Sequence, residues 1–107
     1  MTVAPAADTI LVRFREALAE LYGNRLERVV LFGSRARGDA HAESDYDVAV
    51  FLRDMIDRGS ELHRLAGLTA DIASETGELV QAMPYAAGAY NERTPLMREI
   101  RNDGIDL

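Results

Sequence analysis

The chain has 107 residues, no cysteine and a formal net charge of -6 at pH 7. This length fits one domain over residues 1–107, and the lack of cysteine excludes disulfides and thiolate metal sites. The negative charge argues against direct binding to nucleic acid or to an anionic membrane. Since no apolar run could span a bilayer and no signal peptide is evident, a cytoplasmic location is expected.

The predicted elements alternate between helix and strand after a flexible lead-in at residues 1–7. The first is a helix from Asp8 to about Tyr22, followed by strands at 26–32 and 46–52. A second helix at 61–76 is capped by Ser60, and a third strand at 78–83 is ended by Pro84. A short helix from Thr94-Pro95 to Gly104 closes the series. This order indicates an α/β or α+β domain built around a small sheet.

Two aspartates stand at the start of the second predicted strand, in the stretch LFGSRARGDAHAESDYDVAV. Asp45 and Asp47 are one residue apart, so in extended chain both side chains lie on the same face of the sheet. Two like charges this close repel each other unless one is protonated or a cation lies between them. An isolated D-x-D is usually a solvated turn and strand start, and here the neighbouring residues favour a metal site.

Gly33 and Ser34 directly follow the first predicted strand and are predicted to open a helical turn, residues 34–37. The free N–H groups of such a turn suit a phosphate. The segment GSRARG lacks the Lys of a P-loop and the G-x-G-x-x-G spacing, and the chain lacks G-x-S-x-G. A phosphate-binding turn beside a carboxylate pair therefore predicts a site for a nucleotide–metal complex.

Gly33-Ser34, ten residues, and then Asp45-Tyr46-Asp47 resemble the G-S-x10-D-x-D signature of the DNA polymerase β-like nucleotidyltransferase superfamily. The longer stretch is similar to its minimal nucleotidyltransferase branch. The resemblance implies a palm-like fold, a small mixed sheet flanked by helices. It also implies that Asp45 and Asp47 bind two Mg2+ ions about 3.5–4 Å apart, and that Gly33 and Ser34 hold the β- and γ-phosphates of ATP. A nucleoside monophosphate is then transferred and pyrophosphate released.

The resemblance further implies a third acid from the following strand, for which Glu78 is the best-placed candidate, ahead of Asp71 and Glu75. Glu78 could equally be a solvated residue at the mouth of the strand. Arg37 and Arg35 lie beside the phosphate turn and could neutralise triphosphate charge. The alternative is that they pair on the surface with Asp39 or Glu43.

A palm-like domain alone lacks the second domain with which larger relatives select an acceptor. The resemblance therefore implies a partner, a HEPN-domain RNase toxin. The chain would silence this toxin, as its antitoxin, by attaching AMP to a tyrosine. Two rival readings stay open. One is an antitoxin that only binds, through a surface such as residues 85–93, and the other is a small-molecule nucleotidyltransferase of the antibiotic-modifying type.

Overall fold

A computed structural model describes residues 8–38 and 45–107 of the chain. A four-stranded sheet in the order β3-β2-β1-β4 comprises β1 (Leu26–Phe32), β2 (Tyr46–Leu52), β3 (Val80–Ala86) and β4 (Ile105–Asp106). β1 runs antiparallel to β2 and to β4, whereas β2 and β3 are parallel. The expected small mixed sheet flanked by helices is thus confirmed. The first seven residues, predicted to be a lead-in, lie outside the described part.

The helices are α1 (Thr9–Tyr22), α2 (Ser34–Arg37), α3 (Arg58–Thr76) and α4 (Pro95–Asp103), with short 3-10 turns at Gly23–Arg25 and Ala87–Asn91. Asp8 caps α1, because its Oδ1 accepts the N–H groups of Ile10 and Leu11 at 2.9 and 3.2 Å. Thr94 caps α4 in the same way, with Oγ1 accepting from Met97 N–H at 3.1 Å. The sequence predicted the Asp8 cap and the start of a helix at Thr94-Pro95. Within the described ranges, no helix is long and apolar enough to cross a membrane.

The sheet carries a separate apolar core on each face. The larger core joins the sheet to α1 and α3 and contains Leu11, Phe14, Leu18, Leu65, Ile72 and, from the strands, Leu31, Tyr46, Val48, Val50 and Val80. The smaller core joins the other face to α4 and contains Val30, Ala49, Phe51, Met97 and Ile100. Because side chains alternate along a strand, Tyr46 lies on the opposite face of β2 from Ala49 and Phe51. The same alternation places the side chain of Asp47 on the face of Ala49 and Phe51.

Two predicted boundaries were wrong. α3 begins three residues early, because Asp57 rather than Ser60 is the cap: Asp57 Oδ1 accepts from Gly59 N–H at 3.0 Å. β3 covers Val80–Ala86 and runs through Pro84 instead of ending before it. The N–H of Tyr46 donates to the Leu79 carbonyl at 3.0 Å, so alternate residues of β3 turn their backbone groups towards β2. Pro84 falls at an outward position of this edge strand, where its missing N–H costs no ladder bond.

Candidate active site

The two predicted aspartates lie at the start of β2, on the face of the sheet that packs against α4. Asp47 shares this face with Ala49 and Phe51, whereas Tyr46 is buried in the core on the other side. The Tyr46 hydroxyl donates to Asp8 Oδ2 at 2.9 Å, which ties the start of β2 to the cap of α1. Tyr46 therefore points away from the aspartates, as the alternation of side chains along a strand requires.

Asp47 lies on the central strand between two neighbours in register. Its Cα partners are Phe32 on β1 and Gln81 on β3. Its carboxylate lies against Gly33: a Cβ added to that glycine would be 2.6 Å from Asp47 Oδ2. Only a residue without a side chain fits there. The phosphate turn and the second aspartate thus form one contiguous surface.

Burial and neighbouring carboxylates make the charged form of Asp47 unfavourable. Burial raises the pKa of Asp47 above its ordinary value, and the charges of Asp45 and Glu99 raise it further, while Arg37 lowers it. A hard divalent cation prefers carboxylate oxygens and would relieve the repulsion between the two aspartates. Asp45 and Asp47 therefore fit a Mg2+ site by donor chemistry and by charge.

The Gly33-Ser34 turn has the backbone geometry that the sequence predicted. Gly33 has φ 75° and ψ -157°, a region in which side chains are hardly tolerated. Its carbonyl accepts the N–H groups of Ala36 and Arg37, both at 3.1 Å, and so starts α2 at Ser34. The first N–H groups of a helix have no carbonyl partner within the helix. This leaves the turn able to offer backbone donors next to Asp47.

The two arginines of α2 turn to opposite sides. Arg35 stacks on the ring of Tyr46, with its guanidinium carbon 3.9 Å from the ring centroid, on the side away from the aspartates. Arg37 Nη1 lies 3.4 Å from Glu99 Oε1, and its charge acts on Asp47. The geometry thus associates Arg37 with the candidate site and Arg35 with the packing of Tyr46. Asp39 and Glu43, the surface partners considered for these arginines, lie outside the described residues.

The structure does not bring Glu78 together with the two aspartates. Glu78 precedes β3, which begins at Val80, and its charge acts on Tyr46, on the far face of the sheet. Across residues 8–38 and 45–107, no three His, Cys, Asp or Glu side chains are grouped closely enough to hold a metal ion. Asp71 and Glu75, ranked lower from the sequence, lie on α3, which packs on that same far face.

Two residues near the site were missed from the sequence. Gln81 Nε2 donates to Asp45 Oδ2 at 2.8 Å, and Glu99 of α4 faces Asp47 and Arg37. Alternation groups Gln81 with Met83 and Tyr85 whichever residue starts β3, but only the register with β2 shows that this is the face of the aspartates. Glu99 could not be found from motif spacing, because only the packing of α4 on the sheet brings it near.

Residues 11–96 match the family model described as "Nucleotidyltransferase domain". The chain belongs to this nucleotidyltransferase family. It is 41% identical over 98 residues to "Putative protein adenylyltransferase MJ0141" of Methanocaldococcus jannaschii, which covers 92% of this chain and 95% of that protein. The enzyme class predicted from Gly33, Ser34, Asp45 and Asp47 is therefore confirmed, and the chain is a nucleotidyltransferase.

Solved structures show the same fold. A crystal structure of a toxin-antitoxin with AMP-PNP superposes with a TM-score of 0.62 at 24% identity, covering 87% of this chain and 68% of that chain. A structure described as "a putative nucleotidyltransferase from Sulfolobus solfataricus" superposes with a TM-score of 0.62 at 20% identity, covering 91% of this chain and 75% of that chain. At these identities the likeness establishes the nucleotidyltransferase fold.

Proposed function

We propose that this nucleotidyltransferase is a protein adenylyltransferase that transfers AMP from ATP to a tyrosine hydroxyl of a HEPN-domain RNase toxin, and so acts as the antitoxin of that toxin. The observation that carries this proposal is the contact of Gly33 with the Asp47 carboxylate. That contact joins a phosphate-binding turn to a metal-binding pair in a single site.

Each residue has a distinct role in this reaction. Gly33 and Ser34 hold the β- and γ-phosphates through the turn at the start of α2, and Arg37 offsets part of the triphosphate charge. Asp45 and Asp47 would hold two Mg2+ ions, which would neutralise phosphate charge and make the acceptor hydroxyl more acidic. Together these residues would position the triphosphate for attack by the acceptor.

The proposed transfer forms one bond and breaks one bond at the α-phosphorus, and it needs no further reactant. The acceptor oxygen forms a bond to the α-phosphorus, and the bond from that phosphorus to the bridging oxygen of the β-phosphate breaks. Pyrophosphate leaves, and the proton of the acceptor hydroxyl passes to solvent. The acceptor protein is left carrying AMP.

The nature of the relatives supports protein as the acceptor. The relative that is 41% identical is named as a protein adenylyltransferase, and a solved structure with the same fold is a toxin-antitoxin with AMP-PNP. We propose that this chain likewise adenylylates a protein and belongs to a toxin-antitoxin pair. Cytoplasmic location and assembly with the toxin follow from the same proposal.

A binding-only antitoxin is the main alternative. It would block the toxin through a surface such as residues 85–93, which includes the 3-10 turn Ala87–Asn91, and would need neither aspartate. The observation that favours it is the position of Glu78, which does not join Asp45 and Asp47 in a group of three acids among the described residues. A small-molecule nucleotidyltransferase is the second alternative, and it would modify a free acceptor without a partner protein.

The experiment combines the purified chain, Mg2+, ATP and the HEPN-domain protein encoded beside it, followed by intact mass measurement of that protein. We expect a mass increase of one or more AMP units with the wild type and none with Asp45→Asn. Asp71→Asn makes the same chemical change on the exposed side of α3 and should retain the transfer. Inhibition of the toxin by Asp45→Asn as strong as by the wild type, without mass increase in either case, would instead establish the binding-only antitoxin.

A further inference from the structure

The position beside the aspartates on β3 is held by a neutral side chain. Gln81 is in parallel register with Asp47, and its Nε2 lies 2.8 Å from Asp45 Oδ2. One side chain therefore touches the first aspartate and is the cross-strand neighbour of the second. Among the residues the structure describes, no third carboxylate joins this group.

The identity of the donor atom follows from the chemistry of the pair. An ionised carboxylate can only accept hydrogen bonds, so the amide nitrogen of Gln81 must face Asp45 and the amide oxygen must face elsewhere. A hydrogen bond to a charged acceptor is short and directional, and it restricts the rotamer of the aspartate. Asp45 lies just before β2 and has no ladder partner of its own in the sheet register. Gln81 is thus the contact that orients this side chain.

A neutral amide at residue 81 affects cation binding differently from a carboxylate at the same position. The pair already has the charge of Glu99 nearby, and a third carboxylate would add to the repulsion in the metal-free protein. Affinity for a hard cation rises with the number of charged oxygen ligands. With Gln81 in place, the site binds a divalent cation more weakly than a site of three acids would.

We propose that Gln81 is a positioning residue that orients Asp45 and, as a neutral side chain, sets the divalent-cation affinity of the Asp45–Asp47 pair. This inference rests on the proposed metal-binding role of the two aspartates. It assigns to Gln81, and not to Glu78, the contribution of β3 to the site. Gln81 is exposed, so it can be replaced without disturbing either apolar core.

The test is a titration of the purified chain with Mn2+ alone, in which the signal of free Mn2+ is followed by electron paramagnetic resonance. Gln81→Met keeps the length of the side chain but removes the donor, and loss of such an outer contact typically weakens metal affinity about 10- to 100-fold. Gln81→Glu adds a third charged oxygen ligand and should bind Mn2+ more tightly than the wild type. Glu78→Gln, the matched control on the other side of the sheet, should leave the affinity unchanged.

A double-mutant cycle separates positioning from a general effect on folding. In an Asp45→Asn background, Gln81→Met should have no further effect on Mn2+ affinity, because the carboxylate that it orients is gone. Wild-type affinity in Gln81→Met, or weakened binding in Glu78→Gln, would overturn the assignment of Gln81. If Asp45→Asn alone binds Mn2+ as well as the wild type, the proposed metal pair itself fails, and that outcome is distinct from the failure of Gln81.

Discussion

The carboxylate of Asp47 lies against Gly33, so closely that a Cβ on Gly33 would be 2.6 Å from Asp47 Oδ2. The contact joins the end of β1 to the start of β2, because Phe32 and Asp47 are partners in the antiparallel register. It explains why the glycine of the G-S pair and the second aspartate occur together. Any side chain at residue 33 would displace the carboxylate.

Gly33→Ala should therefore inactivate the enzyme. The substitution imposes strain of about 1–3 kcal/mol in a backbone region that is almost confined to glycine. It also pushes Asp47 away, and misplacement of a catalytic group by about 1 Å can cost on the order of 100-fold in rate. AMP transfer and thermal unfolding, measured together, test both effects.

Gly38→Ala is the matched control for this change. Gly38 also has a positive φ, 83°, but a Cβ there would meet no atom within 4 Å among the described residues. The expected cost is that of a left-handed residue alone, about 1–2 kcal/mol. Equal losses of AMP transfer in the two variants would show that backbone strain, and not contact with Asp47, is what Gly33 avoids.

Asp47→Asn should stabilise the metal-free protein at neutral pH while abolishing transfer. Burial and the charges of Asp45 and Glu99 raise the pKa of Asp47, so its ionised form is less favourable in the folded chain than in the unfolded chain. An amide removes that cost. Denaturant unfolding with a chelator present should give a higher free energy of unfolding for the variant, and a lower one would contradict the electrostatic account. Mg2+ should stabilise the wild type and not the variant.

Replacing Arg37 should weaken ATP binding, whereas replacing Arg35 should lower the stability of the fold. Arg37→Ala removes a charge that acts on Asp47 and should raise the KM for ATP on the order of tenfold, the worth of one hydrogen bond to a charged group. Arg35→Ala removes the stacking on Tyr46 and should cost about 0.5–2 kcal/mol of stability with little change in KM. Steady-state kinetics and urea unfolding distinguish the two, and a larger rise in KM for Arg35→Ala would reverse the assignment.

Tyr22 provides a pH-dependent test of the core that lies away from the site. Burial, and then the charge of Glu61, raise the pKa of Tyr22 from 10.0 to about 12. The folded chain therefore favours the protonated phenol, so this contribution is fully present below pH 10 and is lost as the pH rises towards 12. Tyr22→Phe cannot ionise, and its free energy of unfolding should fall less steeply across that interval. Parallel curves for wild type and variant would show that Tyr22 does not titrate in this way.

The sequence predicted the parts of the structure that local chemistry determines. β1 and β2 cover the residues predicted for them, 26–32 and 46–52, and Asp8 and Thr94 cap their helices as their side chains favour. The end of β3 was misplaced because Pro84 was taken as a stop, although a proline at an outward position of an edge strand breaks no ladder bond.

At the site, Glu78 was chosen as the candidate third acid because the predicted strand began there. The parallel register instead brings Gln81 beside Asp45 and Asp47. Glu99 was not predictable from spacing, since it reaches Asp47 only through the packing of α4 on the sheet. The motif thus identified the residues that are close in sequence, and tertiary packing supplied the others.

The most direct measurement of the central claim is the intact mass of the HEPN-domain partner after incubation with this chain, Mg2+ and ATP. We expect a gain of one or more AMP units with the wild type, and no gain with Asp45→Asn or Asp47→Asn. An unchanged mass with the wild type, or the same gain with either aspartate replaced, would contradict it.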